Sequence, residues 1–233
     1  MSIHQGHRAR IRETFLEHGL DAFHDHQVLE LLLCYAIPRK DVNPLAHALL
    51  AHFGSITAVF EASPQDLLEV EGIGESSMSL IRLVTEIGRR YQIDKAKLDK
   101  IIDSTELAGR FVTSLFHGYT DEAVYMVCLD GKNQVLYYTK LAEGSVNAAN
   151  FSIRRAVETA LKRKAVSVIL AHNHPSGIAV PNVTDIATTE QFMEALATVG
   201  IRLTDHIIVA EGDFVSMRAS KHLHSIENRL RLK

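Results

Sequence analysis

Val166-Ser167-Val168-Ile169-Leu170-Ala171-His172-Asn173-His174-Pro175-Ser176-Gly177 is the stretch on which the reading of the whole chain turns. Its first half is short and rich in β-branched residues, the signature of a buried strand. Side chains on a strand alternate between faces, so His172 and His174 point the same way at its end while Asn173 turns aside. Pro175 and Gly177 stop the strand, the chain turns through Pro181-Asn182, and Asp185 opens a helical pattern carried by Ile186, Phe192 and Leu196. Strand, turn and helix together return one carboxylate to two imidazoles. A lone histidine in a loop usually just hydrogen-bonds. Two histidines and a spaced aspartate instead offer three nitrogen or oxygen donors with a fourth position open, as a catalytic zinc site requires.

Composition sets the outer limits. The chain has 233 residues, 46% of them hydrophobic, enough for one large domain or two ordinary ones with proper cores. A net charge of −3 supplies no global basic field, so any nucleic-acid contact has to come from local patches. Cys34 and Cys128 both lie in apolar surroundings and read as reduced, buried thiols of a cytoplasmic protein. The N-terminus, with His4, His7, Arg8 and Arg10, has no signal-peptide core, and no run approaches the ~18 apolar residues of a membrane span. The expectation is a soluble protein with no membrane partner.

The first half reads as all-helical. Gly6 to Leu20 is a short amphipathic helix with Arg8, Arg10 and Arg12 on a solvated face, and Val28 to Tyr35 is a buried leucine-rich helix holding Cys34. Asn43-Pro44 starts the next helix, which ends at Phe53-Gly54, and Ser63-Pro64-Gln65-Asp66 is an N-cap for another. Leu67-Leu68-Glu69-Val70-Glu71-Gly72-Ile73-Gly74, followed by a helical stretch from Met78 to Tyr91, resembles a helix-hairpin-helix. In such a hairpin the backbone N–H groups of Gly72, Ile73 and Gly74 can hold a phosphate without reading bases. Glu71 and Glu75 beside it, and no cation before Arg82, weigh for a packing element instead. The charge-dense run from Gln92 to Asp103 reads as a linker.

Beyond it the pattern becomes mixed. Ser104-Thr105-Glu106 caps a helix through Phe111 and Leu115, Glu122 to Leu129 and Gln134 to Leu141 are strands joined by the turn Asp130-Gly131-Lys132-Asn133, and Phe151 to Lys164 is an amphipathic helix. After the Asp185 helix, which ends at Gly200, Ile201 to Val209 is a strand leading through Glu211-Gly212-Asp213 into a hairpin. His206 alternates with apolar neighbours there and reads as a satisfied core histidine, with a supporting partner of the site as the alternative. Arg218 to Lys233 carries five Lys or Arg against one Glu and reads as a solvated tail or edge helix.

His172-x-His174-Pro175 with Asp185 eleven residues after the second histidine resembles the JAMM motif of MPN-type metalloproteases. The longer string Ala171 to Gly177, with Asp205-His206-Ile207-Ile208-Val209 downstream, is similar to the RadC branch of that group, long associated with DNA repair. The resemblance spans nearly the whole chain. It implies Zn²⁺ held by His172, His174 and Asp185, and hydrolysis of an amide bond in a peptide or isopeptide substrate whose identity the sequence does not give. It also implies a general base upstream at a strand end, where Glu143-Gly144-Ser145-Val146-Asn147 matches the RadC segment, with Glu158 as the fallback; Arg154 occupies another RadC arginine position. The family motif carries a serine three residues before the aspartate, in support of the tetrahedral intermediate; here that place is Asn182. The fold class is therefore α/β in the α+β sense: a helical helix-hairpin-helix domain over 1–92, a linker over 93–103, and an MPN-type mixed sheet flanked by helices over 104–233. The alternative function is a DNA-associated module with sequence-independent contacts through the hairpin and a silent metal centre.

Overall fold

The structure is a computed structural model and describes residues 3–96, 101–144, 151–175 and 177–231. It divides into two compact units, Met1–Gly88 and Arg89–Lys233.

The first unit is helical. It holds α1 (Ile3–His18), α2 (Asp25–Ala36), α3 (Asn43–Phe53), α4 (Ile56–Glu61), α5 (Pro64–Glu69) and the start of α6 (Glu75–Ala96). Ser55 and Ser63 accept hydrogen bonds from the N–H groups of Ala58 and Asp66, which satisfies donors that the starts of α4 and α5 would otherwise leave orphaned. Six residues are too few for a periodic pattern, and so α4 has no forerunner in the sequence reading. Leu29, Leu33, Leu49, Val59, Leu67 and Ile81 form the core. One expectation is corrected here: Arg8 is not part of a solvated face. Its guanidinium donates to the carbonyls of Cys34, Ile37 and Lys40, closing the C-terminal end of α2. Buried Glu30 accepts from His7 Nε2 at 2.7 Å and Asn43 Nδ2 at 2.9 Å, so a single carboxylate ties α1 and α3 to α2.

The second unit begins inside α6, which corrects the linker boundary. Gln92 to Ala96 is helix, and Ile93 is buried among Phe111, Leu115 and Val127; residues 97–100 lie outside the described ones. The charges are the exposed face of an amphipathic turn. Ser104 then caps α7 (Thr105–Leu115) through the Leu107 N–H. Among the described residues five strands follow: β1 (Ala123–Leu129), β2 (Val135–Glu143), β3 (Ser167–Asn173), β4 (Arg202–Ala210) and β5 (Asp213–Ser216). Their spatial order is β2-β1-β3-β4-β5. Only β3 and β4 are parallel, and that pair needs a crossover, supplied by α9 (Val183–Ala197). β1 and β3 are buried along their whole lengths, as central strands covered on both faces must be.

On one face Met126, Leu170 and Ile208 pack with α8 (Ile153–Lys162), α9 and α10 (His222–Arg231); on the other, Val127, Ile169 and Ile207 pack with α7. The C-terminal segment is thus not a solvated tail. Leu223 and Ile226 are fully buried in the first of these cores, and the basic residues line the outer side of α10. A charge count over the segment hides that three-residue spacing. No described helix is long and apolar enough to cross a membrane.

Candidate metal centre

The site is assembled where β3 ends. His172 sits in mid-sheet, opposite Val124 on β1 and Ile208 on β4, and its side chain is fully buried. His174 is the first residue past the strand; its N–H donates to the Val209 carbonyl at 2.7 Å, which extends the β3–β4 ladder and fixes where the second imidazole starts. Asp185 arrives from the first turn of α9. That turn is held by a reciprocal cap: Asn182 Oδ1 accepts from the Asp185 N–H at 2.9 Å, and Asp185 Oδ2 accepts from the Asn182 N–H at 2.8 Å.

These three side chains converge. His172 Nε2 lies 2.8 Å from His174 Nε2 and 3.2 Å from Asp185 Oδ1, and His174 Nε2 lies 3.5 Å from Asp185 Oδ2. Their side-chain exposures of 0%, 13% and 2% show that His174 forms the only wetted edge of the trio. Burial works to raise the Asp185 carboxyl, but the two imidazoles beside it and the Asn182 N–H together hold it below the ordinary carboxylate range. Asp185 is therefore an anion at neutral pH.

The donor set fits a metal on its own chemistry. His174 Nδ1 is 2.8 Å from the Ile178 carbonyl, which only accepts, so that nitrogen carries the ring proton and Nε2 presents a lone pair. A bare imidazole nitrogen and a carboxylate then face His172 Nε2 across gaps of 2.8 to 3.5 Å. Around a tetrahedral zinc with ligand bonds of ~2.0–2.1 Å, neighbouring donors sit ~3.3 Å apart. His172, His174 and Asp185 also form the only group of its kind among the described residues, with donor atoms all within 4.8 Å of one another.

The remaining sequence candidates are placed differently. Asn182 reaches the site as the helix cap, its Oδ1 committed to the Asp185 N–H. Glu143, the last residue of β2, is half-exposed and ion-paired with Lys140. The ladder sets Glu143 opposite Ala123 and His172 opposite Val124, one residue out of step, so the two belong to opposite faces of the sheet. The structure does not bring Glu143 to the trio. Ser145 to Asn147 lie outside the described residues. Glu158 and Arg154 pair with each other on the exposed side of α8. The hairpin residues Gly72, Ile73 and Gly74 are in the other unit. There Gly72 adopts φ +96°, Ile73 buries its side chain and donates its N–H to the Val70 carbonyl, and the Gly74 N–H donates to Ser77 Oγ.

Sequence reasoning preferred a plain core histidine at His206 to a partner of the site. The structure corrects this: its Nε2 lies 2.8 Å from His172 Nδ1, directly behind the first imidazole, and its Nδ1 lies 2.6 Å from Thr189 Oγ1. Burial pushes His206 well below the usual histidine range, so it is a neutral ring. Strand alternation in β4 and the spacing of four between Asp185 and Thr189 on α9 were the available signals.

Residues 102–223 match the family model described as RadC-like JAB domain, just over half of the chain, and residues 4–79 match one described as UPF0758 N-terminal. The chain belongs to the RadC family. Among its relatives, a UPF0758 protein of Fusobacterium nucleatum is 35% identical over 91% of this chain and 94% of its own length. A UPF0758 protein of Saccharophagus degradans is 35% identical over 89% and 92%, and one of Rhodobacter capsulatus is 36% identical over 90% and 98%. The RadC-like JAB match falls within the mixed-sheet unit that holds the trio, and the UPF0758 N-terminal match within the helical unit.

Proposed function

We propose that this RadC-family chain is a zinc-dependent hydrolase of peptide or isopeptide bonds. The observation that carries the proposal is the convergence of His172 Nε2, His174 Nε2 and Asp185 at the end of β3, with the proton of His174 turned away onto Ile178. Zinc bound there would act as a Lewis acid toward a carbonyl and lower the pKa of water. The protein's own part is orientation. His172 anchors the centre from inside the sheet, the Asn182 cap holds the carboxylate of Asp185 in place, and His174 marks the accessible side from which a substrate approaches.

Glu143 as general base follows from the RadC resemblance. In the structure its carboxylate is bonded to Lys140 and faces away from the trio, so service as the base requires the end of β2 to shift when substrate is present. The expected result for Glu143→Gln is unchanged zinc and hydrolysis lowered ~10²–10⁴-fold. Asn182→Ser should keep zinc, because serine also caps a helix, and leave activity equal or higher. Turnover of a peptide and isopeptide panel, with metal content measured on the same samples, decides both. Undiminished turnover by Glu143→Gln moves the base elsewhere, and equal inertness of all three proteins while they hold zinc removes the hydrolase reading.

The DNA-associated reading finds less support. The N–H groups of Ile73 and Gly74, which a phosphate would need, already donate within the hairpin. The expected outcome is no salt-sensitive binding of duplex DNA by the full chain at low ionic strength. Affinity falling steeply with salt, and lost in a Gly72→Val variant, would restore that reading.

A further inference from the structure

Behind His172 runs a buried chain of hydrogen bonds to which the proposed chemistry assigns no part. Thr189 Oγ1 lies 2.5 Å from the backbone carbonyl of Asp185, one helical turn back, and 2.6 Å from His206 Nδ1; His206 Nε2 lies 2.8 Å from His172 Nδ1. All three side chains are buried, and so water cannot take over any of these bonds. The direction of each bond follows from counting protons. A hydroxyl has one proton to give, and the Asp185 carbonyl can only accept it. The Met217 sulfur, 3.7 Å away, is a much weaker acceptor. With its proton spent on the carbonyl, Thr189 Oγ1 accepts from His206, which places the His206 proton on Nδ1. Among the described residues the buried ring has only the Thr189 hydroxyl and the His172 ring bonded to it and no carboxylate to offset a second proton, so Nε2 is bare and accepts from His172 Nδ1–H. His172 is left with its lone pair on Nε2, facing His174 and Asp185.

We propose that Thr189 and His206 are the positioning residues of the metal centre: together they fix His172 as the Nδ1–H tautomer and, through one hydroxyl, lock it to the helix turn that carries Asp185. The inference rests on the metal-site reading above. Two ligands from different elements are thereby oriented by the same threonine. His174 reaches the same tautomer separately, through the Ile178 carbonyl. Without the relay, His172 would satisfy its ring proton at Nε2 against Asp185 Oδ1, 3.2 Å away, with a proton in the place the ion needs. Loss of a hydrogen-bond partner of this kind behind a ligating histidine typically costs 10–100-fold in metal affinity.

The test uses the full chain and four variants. Thr189→Val keeps the shape and loses the hydroxyl, and Thr189→Ser restores it. His206→Met removes both ring nitrogens; His206→Gln keeps an acceptor toward His172 and a donor toward Thr189. Three readouts are needed: the tautomer of His172 from long-range proton–nitrogen NMR spectra of the metal-free protein, zinc affinity by chelator competition, and the d–d absorption of the Co²⁺-loaded protein. Expected are His172 as Nδ1–H in the wild type, zinc affinity down ~10–100-fold with an altered Co²⁺ spectrum in Thr189→Val and His206→Met, and recovery to within a few-fold in Thr189→Ser and His206→Gln. A residue that merely filled space would be replaced as well by Val or Met as by Ser or Gln. His172 found as Nε2–H in the wild type, or Thr189→Val binding zinc as tightly as wild type, overturns the inference and leaves the hydrolase proposal standing. A wild-type chain that takes up neither metal overturns the hydrolase proposal, and the tautomer spectrum then decides this inference alone.

Discussion

His174→Ala is expected to give a folded protein that no longer retains zinc, with affinity lowered by at least ~10³-fold, because two donors cannot satisfy an ion that prefers four-coordination. The choice of histidine matters. His174 lies past the end of β3 with its side chain partly open to solvent, so truncation leaves a dent at the surface rather than a hole in the core. His172 is fully buried, and its removal opens a cavity and strips His206 Nε2 of its partner, which adds a stability loss of ~2–4 kcal/mol to the loss of metal. The pair is separated by thermal unfolding with and without zinc. Wild type at a free zinc concentration ~100 times its Kd gains ~2.7 kcal/mol, and neither variant gains anything. His174→Ala should keep the melting temperature of metal-free wild type, while His172→Ala should fall well below it. A zinc-dependent shift of wild-type size in His174→Ala would remove that residue from the ligand set.

Gly109→Ala is expected to destabilise the mixed-sheet unit, against the usual outcome for glycine in a helix. Alanine in a helix interior is ordinarily better than glycine by ~1 kcal/mol. At Gly109, in α7, a Cβ would stand 2.1 Å from Cζ and 2.3 Å from both Cε atoms of Phe214 on β5, where ordinary carbon contacts are ~3.5–4.0 Å. The ring must withdraw from the face it shares with Phe111 and Ile207, and overpacking of this kind costs ~1–3 kcal/mol. Set against the ~1 kcal/mol gained by alanine, the net loss reaches ~2 kcal/mol, a drop of up to several degrees in melting temperature for a unit of this size. Adding Phe214→Leu should make the two effects less than additive, since the second change removes the atoms that clash. A raised melting temperature in Gly109→Ala would mean that the ring is not held there.

The strand that carries His172 and the helix whose first turn holds Asp185 were legible because chain-local rules fix them: β-branched alternation, a proline stop and a cap. The same holds for Ser63 and Ser104, whose capping bonds appear where the residue types announced them. What escaped depended on partners distant in sequence. Arg8 looks like any surface arginine until the end of α2 arrives beside it, some thirty positions later. His206 differs from a plain core histidine only because β4 lies parallel to β3 and sets it opposite Leu170, two positions from His172 on the same face. Glu143 lies at the end of β2, and what sets it opposite Ala123 rather than Val124 is the β1–β2 register, which is not written in one strand alone. In α10 and at the end of α6, charge density hid apolar spacing that buries Ile226 and Ile93.

The central claim, that His172, His174 and Asp185 hold a zinc ion, is tested most directly by elemental analysis of the purified full chain after exposure to zinc and removal of excess by gel filtration. About one zinc per chain in the wild type, and none in His174→Ala, is the predicted result. A wild-type chain that emerges folded and free of metal, or a His174→Ala chain that keeps its full complement, would contradict it.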